Sequence, residues 1–198
     1  MSKRAYTRLK GFSKLHYAPL GEEGVGNAKK LSDGKKIESE LEYEEEELWA
    51  EDEQKEYYYD FVGGKGKLSV LGLSKEEYHD LFGNEIVKGG IMINTDDRSN
   101  SISIMWERKK KGGHRRLYVL YNCVCSPVGL GNAESLEKGK GEIEETEIEF
   151  SIGSILHNGK YRIGSFVDTD DETVDTQVID NWYKTPQFPS NELLPSNV

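Results

Sequence analysis

Between residues 37 and 44 the chain alternates without a break: Ile37, Ser39, Leu41 and Tyr43 against Glu38, Glu40, Glu42 and Glu44. A period of two puts the first set on one face of a β-strand and the four carboxylates on the other. A helix, with its period of 3.6, would scatter both sets around its axis. The pattern returns where Glu147 and Glu149 alternate with Ile148, Phe150 and Ile152. Two such segments commit the chain to a sheet with an apolar face toward a core and an acidic face away from it. Glu45, Glu46 and Glu47 end the first alternation before Leu48 and Trp49, and a polar loop is expected over 50–56.

The remaining segments read as short elements. A first strand is expected over Lys14–Ala18, stopped by Pro19, and another over Tyr57–Val62, with the glycines at 63, 64 and 66 turning the chain into 67–73. Ser74 followed by Glu77 forms a capping box, Tyr78, Leu81 and Phe82 share one helical face, and Gly83 supplies the stop. Strands follow over 90–95 and 101–110. The 111–114 connection then leads into Arg115–Cys125, a strand apolar on both faces, with Leu117, Val119 and Tyr121 on one and Tyr118, Leu120 and Val124 on the other. Such a strand is covered on both sides. A further strand is expected over 142–156, joined by the Asn158-Gly159 type I′ signal to 160–167. A second helix, with Thr173 as candidate cap and Val174, Val178, Ile179 and Trp182 as its stripe, closes the order. The expected fold class is mainly β (α+β), a β-sandwich or partly closed barrel with one short and one C-terminal flanking helix. Residues 1–12, with Lys3, Arg4, Arg8 and Lys10, read as a mobile arm, 13–185 as the domain and 186–198 as a flexible tail.

Composition narrows the function. The formal net charge of −10 suits neither DNA gripping nor an anionic membrane, which need clustered Lys and Arg. No apolar leader opens the sequence and no run reaches transmembrane length, so a soluble chain made in a cytoplasm is expected. Cys123 and Cys125 point to one face of a strand and read as small apolar fillers. His16, His79, His114 and His157 lack zinc spacing with either cysteine. No phosphate-binding Gly-rich loop and no Gly-x-Ser-x-Gly elbow occurs. Asp96-Asp97 and Asp168–Asp171 lack the spaced ligands of a calcium loop. The chain is therefore expected to be non-enzymatic, without metal or cofactor. A basic cluster, Arg108, Lys109, Lys110, Arg115 and Arg116, sits at a hairpin tip, where it could meet an acidic patch on another copy.

Several segments together resemble the siphophage major tail protein family. They are Lys14–Leu20, the run Leu48–Asp52 that ends the long acidic strand, the helix of Leu73–Gly83, the strand Arg116–Tyr121 and the closing Val178–Tyr183, all in the family's order. The likeness covers most of residues 12–185. The acidic run Glu44–Glu47, the Gly-rich stretch Gly129–Gly141 and the tail after Pro186 depart from it.

The resemblance implies a tail-tube fold, similar to the tube protein of type VI secretion. It implies hexameric rings whose inner sheets join round a channel. The rings stack along a tape-measure protein, with tail completion and initiation proteins as further partners, and phage DNA passes through without specific binding. The protein would reside in the virion tail, after a stay in the host cytoplasm. On that reading Glu38, Glu40, Glu42, Glu44, Glu147 and Glu149 face the lumen. Trp49, Glu51, Asp52, Arg108, Lys109, Lys110, Arg115 and Arg116 make contacts between subunits or rings. Two other readings stay open: the tube of a phage-derived bacteriocin or secretion device, and a β-sandwich carbohydrate- or receptor-binding module.

Overall fold

The structure, a computed structural model, describes residues 8–21, 24–50, 53–131 and 145–189, with the side chains of 48–50 and 53–56 outside the description. It is mainly β with two helices. One antiparallel sheet dominates, in the order β2-β1-β8-β9-β10-β5-β4. Its strands are β1 (Lys10–Gly21), β2 (Gly24–Val25), β4 (Gly34–Ala50), β5 (Glu53–Val70), β8 (Ser101–Lys109), β9 (Arg115–Cys125) and β10 (Thr146–Gly153). β3 (Lys29–Lys30) pairs with β1, and β13 (Gly164–Asp168) pairs with β9. Two small ribbons stand apart, β6 (Glu85–Val87) with β7 (Gly90–Met92), and β11 (Ile155–His157) with β12 (Lys160–Arg162).

The sheet curls but does not close. Gly34 of β4 packs against Phe12 and Leu15 of β1, yet no backbone ladder joins these strands among the described residues. The curl encloses an inner core containing Leu68, Ile104, Leu120, Ile148 and Phe150. Helix α1 (Lys75–Phe82) adds Leu81 and Phe82 to it. A second core on the other face of β9 contains Met105, Leu117, Val119 and Tyr121. Helix α2 (Thr176–Asn181) covers it with Val178 and Ile179, beside Val174 and the fully buried Trp182. β9 is thus covered on both faces, as its composition requires.

Local signals explain α1 completely. Ser74 Oγ accepts from the Glu77 amide, and Glu77 Oε2 accepts from the Ser74 amide at 2.7 Å. The same carboxylate accepts from the amide and hydroxyl of Ser32, tying the segment before β4 to the helix. Gly83 takes the left-handed conformation that ends it.

Other expectations are corrected. Pro19 does not stop β1, which continues to Gly21 with Pro19 opposite Ile102. The glycines at 63, 64 and 66 do not turn the chain; they lie inside the continuous strand β5. A Cβ on Gly66 would come within 2.2 Å of the Phe150 ring and 2.6 Å of the Glu38 carbonyl oxygen, so these glycines serve close packing. The polar loop expected over 50–56 is largely strand, because β4 runs to Ala50 and β5 begins at Glu53. Cross-strand pairing there overrides the weak strand preference of Glu, Gln and Lys. Val124 is exposed and Cys123 and Cys125 are buried, because an extra β9 residue between Leu120 and Cys123 flips the alternation. Asp175, not Thr173, caps α2, accepting from the Gln177 amide at 2.8 Å. The packed region extends past 185, since Phe188 stacks on Tyr121 and His157 at 4.4 and 3.8 Å.

Candidate assembly surface

β10 pairs with β5 only from Gly64 to Val70. Beyond Gly64, β4 and β5 continue as a two-stranded arm with no third strand beside it among the described residues. At about 3.3 Å per residue, ten residues carry it roughly 33 Å past the body. The arm begins with a bulge: Glu42 pairs Gly63 and Tyr43 pairs Phe61, leaving Val62 over.

The bulge keeps aromatics on the side that faces the core farther down. Tyr43 opposes Phe61, Glu45 opposes Tyr59 and Glu47 opposes Tyr57, so all six share one face. Ring centroids lie 5.9 Å apart for Tyr43–Phe61 and 5.8 Å for Tyr57–Tyr59. The Tyr57 hydroxyl donates to Glu47 at 2.8 Å. Hydrogen bonding to Glu45 and Glu47 holds the Tyr57 phenol above its ordinary value. Tyr43, Tyr57 and Tyr59 are each about half exposed or more, at 50%, 47% and 63%. On the opposite face Glu44 sits directly across from Asp60, two like charges that disfavour the bare hairpin.

Between the root of the arm and β13 lies an open groove of about 430 Å³, walled by Leu41 and Tyr43 on one side and by Tyr118, Tyr161 and Phe166 on the other. An aromatic row crosses the sheet into it. Trp106, Tyr118 and Phe166 are cross-strand partners, with Trp106 and Tyr118 stacked at 5.1 Å and Tyr118 and Phe166 at 6.1 Å. The row is buried at Trp106 and exposed at Phe166, over which the Arg116 guanidinium sits at 4.2 Å. The outer edges of β4 and β13 carry no strand partner among the described residues.

The expected lumen residues fall on one surface. Glu38, Glu40, Glu147 and Glu149 occupy the outer face of β4, β5 and β10, and Glu42 and Glu44 continue the β4 row onto the arm. Three lysines interleave with them. Lys67 lies in register between Glu38 and Glu149 and bridges Glu149 at 2.8 Å; Lys65 bridges Glu42 and Lys36 bridges Glu38 at the same distance. The lower part of the face is a ladder of mixed sign, and only the arm is nearly bare of cations.

The expected contact cations separate into two groups. Lys110 is buried, its ammonium held by Asp170 at 2.5 Å and Asp168 at 3.2 Å. Arg116 grips Asp168 through two 2.7 Å bonds, and Arg115 reaches the buried Glu107 at 3.2 Å. These three spend their charge inside the subunit. Arg108 donates to the Gly11 carbonyl, and Lys109 stays on the surface. Glu51 and Asp52 lie outside the described residues, as does the side chain of Trp49.

Cys123 and Cys125 are unbridged. Burial pushes the Cys125 thiol up to about 12 and the Cys123 thiol well above its usual range. Among the described residues no group of three or more His, Cys, Asp and Glu could hold a metal ion, and no helix is long and apolar enough to cross a membrane. No protein-family model matches the chain, and no curated protein does.

Sequence reasoning passed over the groove and the aromatic face of the arm. Their signal is a charge partition. Residues 41–62 hold ten acidic side chains and one lysine, so almost all of the chain's net −10 resides in the arm. Residues 155–167 hold Lys160 and Arg162 and no carboxylate.

Proposed function

We propose that the chain is a structural subunit that assembles into a tube, the major tail protein of a long-tailed bacteriophage. The observation that carries this reading is the arm: a long hairpin leaves the body with an exposed aromatic face, and the outer edges of β4 and β13 have no strand partner among the described residues. An isolated two-stranded ribbon is marginal in water, and an unpaired edge invites another chain. A second copy relieves both conditions at once. Rings follow when the contact between copies is heterologous and its rotation closes. The resemblance to siphophage major tail proteins gives the ring its hexameric form and the stack its tape-measure partner.

The glutamates at 38, 40, 42, 44, 147 and 149 then line the bore. Sequence-independent DNA affinity comes mainly from cations released onto phosphate. Lys36, Lys65 and Lys67 are each paired to a glutamate, so a passing phosphate meets few uncommitted cations and slides. Electron microscopy of the concentrated protein, alone and with its tape-measure partner, tests the reading. Hollow filaments of uniform width are expected; monomers under every condition overturn it. The Tyr57–Tyr59 pair also offers a small aromatic platform, which favours carbohydrate binding as a second reading. Glycan-array binding by a monomer that never assembles would select that reading instead.

A further inference from the structure

The arm needs a receiving surface, and the same chain carries one of matching chemistry. We propose that the arm of one copy docks against the β11–β12 ribbon and β13 of a second copy, with Arg162 and Lys160 facing the arm's carboxylates. The inference rests on the reading of the chain as an assembling subunit and names the partner of its arm.

Three observations carry it. First, the charges are complementary. The arm holds nearly the whole net charge of the chain, including the like-charged pair Glu44 and Asp60, whereas residues 155–167 have no acidic side chain. Arg162 and Lys160 are exposed, and neither has a carboxylate within ion-pair distance among the described residues. Second, the apolar surfaces correspond. Leu156, Tyr161 and Phe166 are 61%, 76% and 54% exposed; Leu156 lies directly across from Tyr161, and Tyr161 and Phe166 line the same groove. Tyr57 and Tyr59 of an incoming arm present the same kind of surface. Third, β13 has an unpaired backbone edge next to the groove, so a strand from a second copy can extend the sheet while its side chains meet Tyr161 and Phe166.

This contact joins two different patches, so it propagates from copy to copy instead of stopping at a symmetric dimer. Opposite charges across it also make association salt-dependent, with faster encounter at low salt.

Complementary variants of the full chain provide the test. One carries Lys160→Glu and Arg162→Glu, which spoils the receiving surface and leaves the arm. The other carries Tyr57→Ala and Tyr59→Ala, which spoils the arm and leaves the receiving surface. All four positions are exposed, and circular dichroism verifies that both variants fold. Each alone should need on the order of a hundredfold higher concentration to associate. Mixed, they should form a one-to-one pair that grows no further, and Arg162→Lys should associate like the wild type.

Charge-reversed chains that assemble like the wild type, or a mixture that stays monomeric, overturn the docking. If wild type and charge-reversed chains both give hollow tubes, the docking falls and the tube reading stands. If the mixed variants pair while the wild type makes only oligomers without a bore, the docking stands and the tube reading falls.

Discussion

On the body side of Gly63, the inward residues Leu68 and Val70 of β5 are buried with Ile148 and Phe150 of β10. On the far side, Tyr57 and Tyr59 hold the same side of the same hairpin and stay exposed. Side chains of β4 keep their period of two through both halves, although Glu45 and Glu47 take the inward positions in the arm that Ile37 and Leu41 hold in the body. What changes is the neighbour: a third strand and a second layer in one half, and neither among the described residues in the other. The charges divide in the same way. In the body Lys110 and Arg116 are closed off by Asp168 and Asp170, while the arm, residues 41–62, gathers ten acidic side chains against one lysine. An alternating pattern therefore specifies a face to be covered and leaves open whether the cover comes from the same chain.

The sharpest contrast should appear on truncating an aromatic in each half. Phe150 is 2% exposed and lies at the centre of the inner core, against the backbone of Gly66. Phe150→Ala should cost about 3–5 kcal/mol by removing buried area and leaving a cavity, measured by urea unfolding. A loss below about 1 kcal/mol would mean that the inner half is no better packed than the arm.

Charge gives a second way to break the comparison. Asp168→Asn removes the carboxylate that Arg116 grips and one of the two beside the buried Lys110 ammonium. Asp170 remains, so the loss should sit near the low end for a broken buried pair, about 3 kcal/mol. Hydrogen bonding to Arg116, helped by Lys110, holds the Asp168 carboxyl below its ordinary value of 3.8. A depressed folded value stabilises above the unfolded one and is lost as pH falls through the folded one. The gap between wild type and Asp168→Asn should therefore be full at neutral pH and close as pH drops below 3.8. A gap independent of pH would show that the substitution acts through packing alone.

A smaller effect tests the join between the halves. Gly66→Ala places a Cβ within 2.2 Å of the Phe150 ring and 2.6 Å of the Glu38 oxygen. Ring or strand must shift, which should cost about 1–3 kcal/mol in unfolding free energy. Recovery of stability in a Gly66→Ala, Phe150→Leu double variant would identify the ring as the clashing partner.

These contrasts also show what the sequence could reveal. Helix α1 was legible because its signals are local: Ser74, Glu77 and Gly83 act within one turn of the elements they set. The alternation of β10 and the two-faced character of β9 were legible for the same reason. The bulges were not. Whether Val62 or a residue between Leu120 and Cys123 is the extra one depends on the strand opposite, far away in sequence. Gly63–Gly66 resembled a turn because glycine serves both tight turns and close packing, and only the Phe150 ring decides between them. Of the candidate site, the acidic row was visible residue by residue. The groove was not, since it joins Leu41 and Tyr43 to Tyr161 and Phe166, segments that meet only in the fold.

The smallest expected change in stability belongs to the arm, and it is the most informative. Tyr57 and Tyr59 touch each other and the glutamates opposite, and are 47% and 63% exposed. Their joint replacement by alanine removes little area that the single chain buries, so monomer unfolding should shift by no more than about 0.5 kcal/mol. If the arm is the joint between copies, those rings become buried on assembly, and each contributes as an interface aromatic does. Light scattering across a concentration series should then show self-association lost in a chain whose unfolding curve overlays the wild type. Were the double variant to unfold several kcal/mol more easily, the tyrosines would belong to the subunit's own core, and the division between an inner half that folds the chain and an outer half that joins copies would not hold.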